Sequence, residues 1–151
     1  MTTQIIRFSN LLMAALVAGT IFGIWLGYNP TDLSAATYIE QQQNVIIALN
    51  TIMPILGLIT IILTLASAFL RRKEQMAFKA LLVASAFLIL SGLITKFGNQ
   101  PINSIVMTWD LNNPPNNWME LRNKWWFYHE IRTMTAVIGL CLIVWTSMKK
   151  D

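Results

Sequence analysis

Between Pro101 and Arg132 the chain places its single histidine, His129, and four of its six tryptophans, so any site chemistry is sought there first. An imidazole titrates near neutrality and suits proton transfer. Arg122 and Arg132 flank the histidine and carry fixed positive charge. Trp109, Trp118 and Trp125 offer flat faces on which an aromatic ligand can stack. Asn103 adds a neutral donor and acceptor near the start of the stretch.

Other chemistries lack their residues. One histidine and one cysteine, Cys141, leave no zinc or non-haem iron constellation. No glycine-rich phosphate loop opens a helix, and there is no nucleophile elbow. A lone thiol excludes an internal disulfide and quinone-coupled disulfide exchange. Haem on His129 would need a methionine or water as second axial ligand. No cofactor is expected.

The elements that must position these residues are greasy. Only 12% of the 151 residues are charged, about half the share usual in a soluble domain. The fold class expected is all-α, an integral membrane four-helix bundle forming one domain over residues 1–151. Apolar runs place the spans at about 8–28, 45–70, 76–97 and 126–148, with an outer, partly helical segment at 98–132 between spans three and four. The net charge of +4 does not argue for nucleic acid, because the basic residues sit at the ends of apolar runs. Arg71, Arg72, Lys73 and Lys79 crowd one loop and Lys149-Lys150 close the chain, whereas the first loop carries only Asp32 and Glu40. That asymmetry places both termini in the cytoplasm, and a bacterial inner membrane is the expected location.

Spacing then assigns faces. Gly19, Gly23 and Gly27 recur every four residues and form a smooth strip for helix packing or for a homo-oligomer. Glu40, Gln43, Asn50, Pro54 and Gly57 fall within one third of a helix circumference, and Pro54 predicts a kink. Ala84, Ser91, Thr95 and Asn99 share a face of the third run. The Asn112–Asn117 run is a turn, with Asn117 as N-cap of a helix starting at Trp118. On that helix Trp118, Arg122, Trp125, His129 and Arg132 occupy an arc of about 80°. Ala136, Gly139 and Ile143 continue it, so the arc is predicted to turn inward. Trp126 and Trp145 read as interfacial anchors.

Pro101-Ile102-Asn103, Trp109, a proline-rich turn, Trp118, Arg122, Trp125, His129 and Arg132 together resemble the anthrone-oxygenase-like family of small four-span membrane proteins. The first span ending GIWLGYNP and the Gln/Asn-bearing start of the second are also similar. The resemblance implies a four-span fold with a site at the outer end of the bundle. It implies a cofactor-independent oxygenase acting on a flat, hydrophobic anthrone- or hydroquinone-like ring. His129 would then be the base, Arg122 or Arg132 with Asn103 would stabilise the oxyanion, and Trp109, Trp118, Trp125, Gln43, Glu40 and Asn50 would line the substrate site. The competing reading is a non-catalytic membrane module binding a lipid, a quinone or a partner protein. A closed bundle with Arg122 paired to Glu40 would favour the module, and an open pocket beside His129 the oxygenase.

Overall fold

Residues 2–148 are described by the structure, a computed structural model; Lys149-Lys150 lie outside them. All regular elements among these residues are helical. Helix α1 spans Thr2–Gly27, α2 Ala35–Leu49, α3 Ile52–Leu70, α4 Gln75–Ile94, α5 Gln100–Val106 and α6 Trp118–Met148. Four helical stretches, containing α1, α3, α4 with α5, and α6, are long and apolar enough to cross a membrane. This is an all-α integral membrane protein.

Helix α1 packs on α3 and α6, and α4 packs on the same two, closing a ring. The interior between them is lined by small residues. Ala14, Ala68, Ala84, Leu81, Leu88 and Ile143 form one cluster, and Ala18, Ile21 and Ala136 another. Small side chains let helices approach closely where lipid offers no hydrophobic drive. Large apolar groups point outward instead; Phe97 is 75% exposed. In lipid this is the expected arrangement.

Helix α1 buries Ala14, Ala18 and Ile21 and turns its glycines away. Open space lies beside Gly19, Gly23 and Gly27. Within the chain, therefore, the glycine strip does not receive a neighbouring helix.

The second apolar run is interrupted where Pro54 predicts a kink, with Asn50 and Thr51 both keeping right-handed helical backbone angles. It breaks at Asn50–Thr51 into α2 and α3. Pro54 has no N–H to give the carbonyl of Asn50, four residues earlier, so the ladder stops there. Helix α2 also starts well before the predicted span. Ser34 caps it by accepting the N–H of Thr37. The helix lies against α5 at one end of the bundle. The first loop thus contains a 3-10 turn at Pro30–Asp32 and the first turns of α2.

The third span runs on past Phe97. A π-helical turn at Thr95–Asn99 links α4 directly to α5. Pro101 is the local cause, since it cannot bond the carbonyl of Phe97 in an α register. At the opposite end of the bundle, buried Arg71 pairs with Glu74 and donates to the Thr146 carbonyl at 2.8 Å. This ties the α3–α4 turn to the end of α6. The hydrogen bond from Arg71 holds the Glu74 carboxyl below the usual carboxylate range.

The π turn makes one close approach. A Cβ at Gly98 would meet the Tyr128 ring at 2.7 Å. Gly98→Ala is expected to cost about 1–3 kcal/mol through overpacking, whereas Gly23→Ala, beside open space, is expected to raise stability by up to about 1 kcal/mol through helix propensity. Thermal unfolding of both variants in detergent checks this.

Candidate functional site

Helix α6 is the spine of the site. Its predicted arc faces inward: Arg122, Trp125, His129, Ala136, Gly139 and Ile143 are buried, and Trp118 and Arg132 half-buried. The stretch from Trp118 to Arg132 nevertheless divides into two neighbourhoods.

The first caps the end of the bundle. The Tyr38 ring lies 6.4 Å from Trp109 and 6.1 Å from Trp118. Arg122 sits over Trp118 at 4.8 Å and donates to Asn123 Oδ1 and to the Thr31 carbonyl. Gln43 Nε2 donates to the carbonyls of Val106 and Trp109, each at 3.0 Å. Burial pushes the Tyr38 phenol above its ordinary range, with Arg122 pulling the other way. These contacts hold α2, the 3-10 turn and the segment after α5 together. Arg122, Trp109, Trp118 and Gln43 are therefore parts of a packed cap, and Glu40 is exposed on α2 with no bond to Arg122.

The second neighbourhood lies beneath the cap. Asn103 is its hub. Its Oδ1 accepts Trp125 Nε1 at 2.8 Å and Gln42 Nε2 at 3.4 Å, and its Nδ2 donates to Asn50 Oδ1 at 3.0 Å. Tyr28 donates to Gln42 Oε1 at 3.1 Å, and Asn99 donates to the Trp125 carbonyl at 3.0 Å. One turn further along α6, His129 is fully buried. Its ring stacks on Trp125 with centroids 5.0 Å apart and on Trp126 at 5.4 Å. His129 Nδ1 accepts from Arg132 Nε at 3.1 Å and Nη2 at 2.8 Å. A guanidinium only donates, so Nδ1 holds a lone pair there, and a neutral ring carries its proton on Nε2. Arg132 Nη1 donates to Thr95 Oγ1 at 3.3 Å. No carboxylate among the described residues pairs with Arg132. Trp126, expected as an interfacial anchor, is instead half-buried against the histidine.

A cavity of about 220 Å³ opens beside Arg132, between α1, α3, α4 and α6. Ile21, Pro54, Thr60, Ser91, Thr95 and Arg132 are among its walls. A recess of about 40 Å³ adjoins it and reaches Gln42, Asn50, Asn103 and Trp125. Arg132 and Thr95 border both spaces. His129 lines neither. The structure thus brings together Arg132, Asn103, Asn50 and Trp125 of the expected residues, with His129 behind Arg132. It separates Arg122, Trp109, Trp118, Gln43 and Glu40 from them.

Gln42 was missed. Glu40, Gln42 and Gln43 lie on one helix, α2, and the stripe through Glu40, Gln43 and Asn50 runs along the flank of its buried face. The usable signal was local: Tyr38, Gln42 and Ile46 recur every four residues on the buried face of α2. Thr95 was noticed only as part of a polar face. No three metal-ligating side chains cluster among the described residues.

The sequence model of the Anthrone oxygenase family matches residues 43–142 of this chain. The chain belongs to that family. The match begins within α2 and ends within α6, so it takes in Asn103, His129 and Arg132. It makes the chain oxygenase-like in kind. No match was found among curated proteins or among solved structures.

Asn103 satisfies three buried or half-buried partners at once. Asn103→Leu is expected to cost about 1–3 kcal/mol for the polar groups it strands, and to shift the emission of Trp125 as its indole N–H loses its acceptor. Chemical stability and tryptophan fluorescence of the variant test both effects.

Proposed function

We propose that this protein is a membrane oxygenase that works without metal or flavin on a flat, enolisable aromatic of the anthrone or hydroquinone type. The observation that carries the reading is Arg132. Its guanidinium borders an otherwise largely apolar cavity, and no described carboxylate neutralises it. A cation placed so in a low-dielectric bundle is suited to an oxyanion.

The chemistry follows from that placement. The enol form of an anthrone-like ring gives its O–H proton to water beside Arg132, which later returns it to the peroxide, and the resulting oxyanion pairs with the guanidinium. The electron-rich ring carbon passes one electron to dioxygen, and the radical pair combines to form a C–O bond. The peroxide takes up a proton. Loss of the remaining C–H proton with cleavage of the O–O bond gives the carbonyl and water. One CH₂ and one O₂ become one C=O and one H₂O, with no outside oxidant or reductant.

His129 takes a different part from the base first expected. Its Nδ1 is occupied by Arg132, and the ring does not border the cavity. It orients the guanidinium, and the Trp125 and Trp126 faces hold the imidazole in place. Asn103 and Asn50 supply polar contacts in the adjoining recess. Basic residues at Arg71, Arg72 and Lys73 support a topology with that loop and both termini in the cytoplasm, and with α2 on the outer side.

Oxygen uptake by purified protein with 1,8-dihydroxyanthrone tests the reading. Arg132→Leu is expected to lower kcat/KM by roughly 100-fold or more, and Arg132→Lys to retain part of the activity. His129→Phe keeps the stacking but loses the acceptor and should act mainly on kcat. No oxygen uptake by the wild-type protein would leave the cavity as a binding site for a lipid or quinone.

A further inference from the structure

We infer that the cavity beside Arg132 opens sideways into the bilayer between α3 and α4, and that its ligand is a flat, acidic phenol entering from the lipid. The inference rests on the oxygenase reading only for the ligand's class; the route stands on geometry.

The end of the bundle offers no comparable way in. Tyr38 is fully buried between Trp109 and Trp118, and Gln43 bonds the backbone of the segment after α5. The side of the bundle is different. Pro54 and Leu58 on α3, and Gly92 and Lys96 along α4 and its π turn, line the cavity and are also exposed at the surface. They form the rim of a gap between the two helices. Gly57 and Gly92 both line the cavity, and each has open space where a side chain would project. Thr60, Ser91 and Arg132 lie deeper.

Depth places this gap in lipid. Leu58 lies 12 residues from the end of α3 at Leu70, or about 18 Å along the axis. Gly92 lies 17 residues from the start of α4 at Gln75, or about 26 Å. Both depths fall within a hydrocarbon core of about 30 Å. Lys96 lies near the far edge of that core, where its ammonium reaches headgroup level.

Charge and size then choose the ligand. Two cations, Lys96 at the rim and Arg132 inside, line the cavity, and no Asp or Glu does. An acidic oxygen is drawn to the mouth and held within. The volume of about 220 Å³ is below the usual range for drug-sized ligands, about 300–1,000 Å³. A small fused-ring phenol suits it better than a two-chain lipid.

Anaerobic stopped-flow binding of 1,8-dihydroxyanthrone to protein in nanodiscs, followed by tryptophan quenching, tests the route without turnover. Gly92→Phe is expected to slow association roughly tenfold or more. Gly23→Phe, on the outward face of α1, should bind at the wild-type rate. Anthracene, flat but without an acidic oxygen, should bind at least roughly tenfold more weakly. If Gly92→Phe does not fold, Gly92→Cys in a Cys141→Ser background is alkylated after reconstitution and should show the same slowing. Wild-type association rates in the blocked protein overturn the side route, and equal affinity for anthracene overturns the acidic ligand. Blocked binding with no aerobic oxygen uptake in the wild type removes the oxygenase reading alone. Normal uptake by Gly92→Phe removes the route alone.

Discussion

A positive charge held inside a membrane bundle without an acid to neutralise it is the constraint on which this structure depends. Bringing Arg132 to the cavity wall is costly in a low-dielectric medium, so its surroundings must be arranged for it. His129 accepts two of its donors and Thr95 a third. Neither neighbour is anionic, so the charge is solvated without being cancelled. The stacked tryptophans then make sense as a rigid backing. They keep the imidazole where its lone pair faces the guanidinium, and they do so without adding charge.

Two prolines shape the space around that charge. Pro54 stops the α-helical ladder at Asn50, which separates α2, packed on α5, from α3 and leaves Asn50 at the junction. Pro101 coincides with the wide π turn that carries Thr95 and Asn99, both of which bond to α6. Irregular backbone within a membrane is tolerated only where protein or a cavity receives the freed groups. Here both irregular points border the cavity or its recess, so the breaks in the helices and the site share one origin.

The parts of this arrangement that could be read from sequence are those on one uninterrupted helix. From Trp118 to Met148 no proline intervenes, and a period of 3.6 residues carries the inward face from Trp118 to Ile143, about seven turns. The family resemblance also rested mainly on this region and on Asn103. On α2 the polar residues do not all share the buried face: the stripe through Glu40, Gln43 and Asn50 runs along its flank. Glu40 is therefore exposed, and Gln42, one residue before Gln43, is the buried member of the run. Burial cannot separate Arg122 from Arg132 either, since both lie on the inward arc, nearly three turns apart. Their roles diverge through what α2 and the 3-10 turn bring to one of them, and that is tertiary information.

The gap between α3 and α4 has a consequence for the supply of both reactants. Dioxygen, like a fused-ring phenol, is more soluble in hydrocarbon than in water. In an oxygenase of the kind proposed, a chamber vented to the acyl chains would draw both from a single solvent phase, and the capped end would keep bulk water from quenching a carbanion before it meets oxygen. The bilayer then acts as a reagent reservoir as well as a support. Turnover in such a protein would follow the oxygen content and fluidity of the membrane around it more closely than the composition of the aqueous medium on either side.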